Sequence, residues 1–111
     1  MKNTNNFHVF YKCKDKELYN LVIGTHSAKT RILIIDEILT QPCNANQLAQ
    51  KLELDYKTIK YHMDIICKHQ YATKEKFEKY TIYFPSDKLI KHIDEYIQIK
   101  EYYKNQMFKG K

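Results

Sequence analysis

The chain has 111 residues and a mass of 13.4 kDa, which fits one domain with one modest core and excludes a catalytic barrel or a doubly wound dinucleotide fold. Hydrophobic residues make up 43% of the sequence and charged residues 29%, so the composition is that of a folded protein rather than a disordered one. The net charge of +6 and the isoelectric point near 9.1 favour a polyanionic partner.

The first 24 residues leave two interpretations open. Residues 7–13 are rich in aromatic and β-branched side chains, as in a strand, whereas residues 15–23 have the pattern of a short helix ended by Gly24. We therefore treat residues 1–24 as an N-terminal extension that is strand or helix.

A helix is predicted over about residues 28–39. Ser27 is a suitable N-cap, and Pro42 ends the helical pattern. The apolar positions that recur at helical spacing are Ala28, Ile32, Ile35 and Leu39.

Two further helices follow, separated by a tight turn. Asn44 can cap a short helix over residues 45–52, and Gln47, three residues later, can complete a capping box. Asp55 is then the expected N-cap of a helix over residues 56–69. In this helix the apolar positions Ile59, Met63 and Ile66 share one face, while the lysines fall on other faces. One side of it should pack and another should be free.

The remaining sequence predicts a small hairpin and a long last helix. Two β-prone runs, 71–73 and 80–84, flank a charged loop over residues 74–79, and Pro85 ends the second run. Ser86 can cap a single helix through about residue 107, about 33 Å long at 1.5 Å per residue. Its heptad-like seam comprises Leu89, Ile93, Tyr96, Lys100, Tyr103 and Met107, with Lys100 as the interruption.

This order of elements is that of a mostly α-helical winged helix-turn-helix domain with a small β-hairpin and a long C-terminal helix. In such a domain one helix enters the major groove of DNA and the hairpin reaches the phosphates beside it. The expected divisions are the extension 1–24, the winged helix-turn-helix domain 25–85 and a dimerisation helix 86–111. Glu53 occupies the turn where a glycine is common.

Four segments follow one another along the chain: residues 23–33 (IGTHSAKTRIL), 42–49 (PCNANQLA), 54–64 (LDYKTIKYHMD) and 80–84 (YTIYF). Together they resemble a known family, the archaeal ArsR-like winged-helix regulators. The resemblance covers about residues 23–86 and implies a DNA-binding transcriptional regulator, usually a homodimer. It implies a recognition helix over 56–69 and a wing over 71–84 on the DNA backbone or minor groove.

The resemblance does not imply metal sensing or a cofactor. Metal-sensing relatives carry an ELCVCD-like motif on the helix before the recognition helix, and residues 44–52 contain no cysteine. The wing segment also departs from the family pattern because residues 76–79 lack the usual glycine.

The residues predicted to contact DNA are Asn46, Gln47, Tyr56, Lys57, Thr58, Lys60, Tyr61, Lys68, Lys74, Lys76 and Lys79. The lysines are assigned mainly to phosphates, and Thr58 and Tyr61 to base edges. Tyr56 could equally pack against the preceding helix. The wing lysines alternate with Glu75 and Glu78, so a solvated surface is the competing interpretation for them.

Six residues of the last helix are predicted to form a homodimer interface: Leu89, Ile93, Tyr96, Ile97, Tyr103 and Met107. A ligand pocket and a membrane-surface helix are the alternatives for this tyrosine-rich stripe. Asp94, Glu95 and Glu101 weaken the membrane interpretation.

The histidines and cysteines are interpreted as structural. His62, beside Met63, is expected to be a hydrogen-bonded core histidine, and the spacing of His62, Cys67 and His69 lacks the further ligand that a metal site needs. Three widely spaced cysteines without a CxxC pair indicate reduced, buried thiols, with a redox switch as the alternative.

Other classes of protein are excluded or disfavoured. Two glycines and two prolines disfavour a hairpin-rich sandwich or barrel, and the absence of a long apolar run or signal peptide predicts a soluble, cytoplasmic protein. No phosphate-binding loop, GxSxG or HExxH motif indicates catalysis.

The main hypothesis is therefore a sequence-specific regulator that binds double-stranded DNA as a homodimer through its first and last helices. Two alternatives remain: a winged-helix interaction module of the transcription or replication machinery, and an RNA-binding winged helix. The single arginine, Arg31, leaves lysines as the other cations, and lysine lacks the planar fork that binds guanine edges.

Overall fold

The computed structural model of the protein describes residues 15–109, in which helices predominate and one antiparallel hairpin is present. The elements of this part are α1 (Lys16–Val22), α2 (Ala28–Thr40), α3 (Ala45–Leu52), α4 (Tyr56–Lys68), β1 (Ala72–Phe77), β2 (Tyr80–Pro85), α5 (Asp87–Lys91) and α6 (Ile93–Lys109). The predicted fold class is confirmed. The strand interpretation of residues 7–13 falls outside the described residues.

Two compact units make up the chain. One comprises the residues up to Ala28 together with those from His92 onward, and the other comprises Lys29–Lys91. In the first unit α1 packs against α6. The N-cap of α1, Asp15, accepts from the backbone N–H of Leu18 at 3.0 Å, and its other carboxylate oxygen lies 2.5 Å from Nδ1 of His92.

The second unit contains α2 to α5 and the hairpin. Its fully buried side chains are Ile34, Ile35 and Ile38 of α2, Leu48 of α3, Ile59, Met63 and Ile66 of α4, and Tyr71, Tyr83 and Leu89. The face of α4 predicted to pack is therefore buried as expected. In α2 the buried face differs from the prediction because Ile34 and Ile38 are fully buried while Leu39 is half-exposed.

The hairpin differs from the prediction in its loop. Strand β1 continues to Phe77, which lies directly opposite Tyr80, so the loop has two residues, Glu78 and Lys79, rather than six. Glu78 has φ 55°, the left-handed conformation that two-residue hairpin turns demand of a central residue. The charged residues 74–76 lie in the strand because cross-strand pairing satisfies their backbone groups.

The last helix is interrupted, in contrast to the single helix predicted. Ser86 does act as a cap, since its Oγ accepts from the backbone N–H of Leu89 at 3.1 Å, but α5 ends at Lys91 and α6 begins at Ile93. His92 lies at the break, where its side chain contacts Asp15. The helix from residue 93 to 109 is about 25 Å long at 1.5 Å per residue.

Candidate nucleic-acid interface

Local capping interactions build the helix-turn-helix. The Asn44 side chain accepts from the backbone N–H of Gln47, and the Gln47 side chain accepts from the backbone N–H of Asn44, both at 2.8 Å. This is the predicted capping box. The chain leaves α3 through Glu53, whose φ of 55° and ψ of 46° are left-handed, and Asp55 then caps α4. A left-handed residue at this position ends one helix and lets the next start after a short turn.

The side of α4 opposite its buried face carries aromatic and cationic side chains. Tyr56 and Tyr61 are 47% and 60% exposed, and Lys57 and Lys68 are also exposed. Thr58 is half-buried, and its Oγ1 lies 3.4 Å from the Asp55 carboxylate. The same carboxylate accepts from the backbone N–H of Thr58 at 3.2 Å. The hydroxyl predicted to approach bases is therefore engaged within the cap.

Lys60 is held by two neighbours. Its ammonium lies 3.5 Å from Asp64, one turn later on α4, and it donates to the phenolic oxygen of Tyr83 on β2. The negative charge that Tyr83 carries when ionised, followed by the carboxylate of Asp64, raises the pKa of Lys60 above its usual value. Burial raises the pKa of Tyr83 in turn, so at neutral pH the pair is an ammonium and a neutral phenol.

An open cleft of about 150 Å³ lies where the start of α3, the start of α4 and the hairpin meet. Its cations are Lys60 and Lys79. The other lining residues are Asn44, Ala45, Asn46, Tyr56, Tyr80, Thr81 and Tyr83. Among the described residues that line it, none is acidic. The cleft therefore combines positive charge with phenol, hydroxyl and amide groups.

The hairpin places the wing lysines on this same surface. Lys74 lies opposite Tyr83, and Lys76 lies opposite Thr81, and directly opposed residues of an antiparallel pair project from the same face. Lys79 lies in the turn, with its ammonium 5.6 Å from the ring centroid of Tyr80. Tyr80, Thr81 and Tyr83 line the cleft but are not among the predicted contacts, because their placement depends on the hairpin register. The β-prone run over residues 80–84, beside the predicted recognition helix in the fold, was the available signal.

The predicted DNA-contact residues thus fall into two groups. Six of them surround the cleft or share its hairpin face: Asn46, Tyr56, Lys60, Lys74, Lys76 and Lys79. The others lie outside the cleft lining: Gln47, Lys57, Thr58, Tyr61 and Lys68. Gln47 is exposed, but its side chain is engaged in the capping box.

The residues predicted to form the dimer interface differ widely in exposure. Leu89 and Tyr96 are already buried within the single chain, and Ile93 and Tyr103 are half-buried. Ile97 and Met107 are 46% and 49% exposed. Among these six residues, only Ile97 and Met107 are exposed, each with nearly half of its surface open to solvent.

A buried pair outside the predicted site involves the only arginine. Arg31 on α2 is 7% exposed, and its Nε donates to Nδ1 of His62 on α4 at 3.2 Å. Burial, and then the charge of Arg31, lower the pKa of His62 below its usual value. His62 is a hydrogen-bonded core histidine, as the sequence indicated. The guanidinium is therefore not on the exposed face of α4.

The described cysteines are not activated thiols. Cys43 is buried and Cys67 is half-buried, and neither forms a disulfide. Burial raises the pKa of both thiols, and this outweighs the opposing effect of nearby lysines. Cys13 lies outside the described residues. In the part of the chain that the structure describes, no cluster of three His, Cys, Asp or Glu side chains is arranged for a metal ion.

Comparison with solved structures shows what the fold resembles. The transcriptional regulator BldR from Sulfolobus solfataricus superimposes with a TM-score of 0.65 at 15% identity, covering 97% of this chain and 81% of that one. A probable transcriptional regulator from Pseudomonas aeruginosa gives 0.56 at 16% identity, covering 97% and 88% of the two chains. The MarR protein from Peptoclostridium difficile gives 0.59 at 20% identity, covering 96% and 65%.

At these identities the likeness concerns the fold, and the chain has the winged helix-turn-helix fold. No protein-family model matches the sequence, and the comparison with curated proteins found no match. Separately, no helix between residues 15 and 109 is both long enough and apolar enough to cross a membrane.

Proposed function

We propose that the protein is a transcriptional regulator that binds double-stranded DNA, with α4 in the major groove and the hairpin against the backbone or minor groove. The observation that carries this proposal is the polar face of α4. It projects tyrosines and lysines from a helix whose opposite face is anchored in the core. A helix-turn-helix followed by a hairpin is an arrangement that can place such a face in the groove.

The charge distribution supports the same partner. The net charge is +6, and exposed lysines occur on α4 and on the hairpin face that adjoins it. Lysine neutralises phosphates as a point charge, so we assign Lys57, Lys60 and Lys68 to the backbone. Tyr61 is the most exposed aromatic of α4, and we assign it to base edges.

The similar solved structures, described as transcriptional regulators, support this class of function over an enzyme. The resemblance to archaeal ArsR-like regulators is a narrower part of the proposal, and it rests on the four sequence segments. We further propose that the protein acts as a cytoplasmic homodimer, needs no cofactor, and uses the exposed apolar residues of α6 at its interface.

Fluorescence anisotropy on labelled duplexes tests the proposal. The duplex from upstream of the protein's own gene is compared with a scrambled duplex at several salt concentrations. We expect affinity to fall steeply with salt. The slope of log affinity against log salt should shrink in magnitude by about 1.8 for Lys57→Ala with Lys60→Ala, since each phosphate neutralised contributes about 0.9.

The matched control removes two exposed lysines away from α4, Lys29→Ala with Lys91→Ala. It should leave the slope close to that of the wild type, with both double variants folded by circular dichroism. A Lys57→Ala, Lys60→Ala protein that binds as tightly as the wild type contradicts the placement of α4 on DNA.

One observation favours a second candidate, a winged helix that docks on a protein of the transcription machinery. Phe77 and Tyr80 face each other at the end of the hairpin and are both about half exposed (50% and 49%). Paired apolar rings in solvent are typical of interaction surfaces. Two results together favour this function. The protein should bind no duplex, and pull-down should recover a stable protein partner that the Phe77→Ala variant no longer retains.

A further inference from the structure

The cleft between α3, α4 and the hairpin has no occupant assigned by the fold alone. Resting on the proposed function, we infer that it receives one phosphate group of the DNA backbone, clamped between Lys60 and Lys79, and that Tyr83 positions Lys60 for this contact. The cleft has a volume of about 150 Å³, and its described lining contains two cations and no carboxylate. A phosphodiester carries one negative charge and offers oxygens that only accept hydrogen bonds.

The two cations reach the cleft from different elements. Lys60 comes from α4, the helix assigned to the major groove, and Lys79 comes from the turn of the hairpin. A single group bound between them therefore contacts the recognition helix and the wing together. Tyr56 and Tyr80 also line the cleft, and the phenol of a tyrosine can donate to a phosphate oxygen.

Tyr83 accounts for the position of Lys60. The Tyr83 side chain is 1% exposed, and its backbone N–H donates to the carbonyl of Cys43, just before α3, at 2.9 Å. Its phenolic oxygen accepts from the ammonium of Lys60. An exposed lysine normally samples many rotamers, and ordering it on binding opposes affinity. A buried, fixed acceptor orders Lys60 before DNA arrives.

Asp64 does not prevent this role. Its carboxylate lies 3.5 Å from the Lys60 ammonium, but Asp64 is exposed and is not among the residues lining the cleft. An ammonium has three donors, so contacts to Asp64 and Tyr83 leave one for a phosphate oxygen.

The test uses duplexes in which one backbone phosphate at a time is replaced by a neutral methylphosphonate. For the wild-type protein several contacted positions should weaken binding, and we expect the phosphate that occupies the cleft to be one of them, with a loss of about tenfold, typical of a charge-assisted hydrogen bond. That penalty should largely disappear in Lys60→Ala and in Lys79→Ala, because the partner of the phosphate is then missing.

Tyr83→Phe keeps the buried ring and removes only the hydroxyl. It should reduce the same penalty when Lys60 is present and change nothing further in the Lys60→Ala background. A purely structural role of Tyr83 would instead weaken binding equally in both backgrounds.

The control is Lys68→Ala, an exposed α4 lysine outside the cleft, which should weaken binding to all duplexes and leave this penalty intact. Lys79→Ala, at an exposed turn, keeps the test valid if Tyr83→Phe fails to fold.

The outcomes separate the inference from the function on which it rests. A wild-type protein that binds no unmodified duplex overturns both. A protein that binds duplexes, but shows no methylphosphonate position coupled to Lys60 and Lys79, overturns only the cleft assignment. Titration with inorganic phosphate is the second arm of the test. If the protein binds phosphate saturably, Lys60→Ala abolishes that binding, and no methylphosphonate position is coupled to Lys60 and Lys79, then the cleft holds a free phosphate compound. That result overturns the DNA contact.

Discussion

Arg31 and His62 form a buried polar contact between α2 and α4, the helix proposed to recognise DNA. Because Arg31 Nε donates to Nδ1 of His62, that ring nitrogen must be unprotonated, and the neutral ring carries its proton on Nε2. Protonating Nδ1 would remove the acceptor and place two positive charges side by side in a low-dielectric site. The contact is therefore built for a neutral histidine.

This arrangement predicts a loss of stability in mild acid. The ordinary pKa of histidine is 6.5, and the folded pKa of His62 lies below it. Below about pH 6.5 the unfolded chain binds a proton that the folded chain excludes, so the free energy of unfolding falls as pH drops from about 6.5 through the folded pKa. Above about 6.5 the contribution of the neutral pair is fully present.

Urea unfolding at pH 7.5 and pH 5.5 measures this effect. Between these pH values the wild type should lose more stability than His62→Gln, whose amide oxygen can accept from Arg31 without titrating. His26→Gln, at an exposed position, should behave like the wild type. Equal losses in the wild type and His62→Gln would show that His62 does not carry the pH dependence.

At the scale of elements, two short connections determine the candidate site. The α3–α4 turn and the β1–β2 turn each contain a glutamate in the left-handed conformation, Glu53 and Glu78, both with φ 55°. Glycine is the usual residue at such positions because a Cβ atom makes them strained. The chain forms both turns without glycine because the elements on either side are held by packing and by ladder hydrogen bonds.

Relieving this strain should stabilise the protein. Glu53→Gly removes the energetic cost of holding a side chain in the left-handed conformation, about 1–2 kcal/mol. The greater flexibility of glycine also stabilises the unfolded state by about 0.5–1 kcal/mol. The free energy of unfolding should therefore rise by about 0.5 kcal/mol. The matched control, Glu101→Gly on the exposed side of α6, should lower it by about 1 kcal/mol. Chemical denaturation compares the two, and a destabilised Glu53→Gly contradicts the strain argument.

At the scale of the whole molecule, the exposed apolar residues of α6 bear on how copies of the chain associate. Part of the apolar stripe that was predicted to form a dimer interface is already buried within one chain, since Leu89 and Tyr96 are buried. On α6, Ile97 and Met107 retain large exposed apolar surfaces. Exposed apolar residues on a terminal helix are typical of an interface between subunits.

We predict that charges at these positions prevent dimerisation. Ile97→Glu with Met107→Glu should sediment as a monomer because burying carboxylates in an apolar interface is unfavourable. Gln98→Glu with Asn105→Glu adds the same charge at exposed polar positions of α6 and should remain a dimer like the wild type. Analytical ultracentrifugation distinguishes the two, and a wild-type monomer, or a dimer that persists in the first variant, contradicts an α6 interface.

The sequence by itself determined the features that depend on neighbours within one helical turn. The capping box of Asn44 and Gln47, the cap Asp55 and the buried stripe of α4 follow from the spacing of residues three and four apart. The order of the elements, and hence the fold class, followed from these local signals. The lysines of α4 and the hairpin were predicted as candidate contacts for the same reason.

Only the tertiary structure decided what depends on distant residues. The register that places Lys74 opposite Tyr83, the helix break at His92 beside Asp15, and the Arg31–His62 and Lys60–Tyr83 contacts each join residues far apart in the chain. Such contacts form when packing brings the elements together, so no local pattern encodes them. Burial of Tyr96, a heptad position by sequence, is likewise decided by tertiary packing.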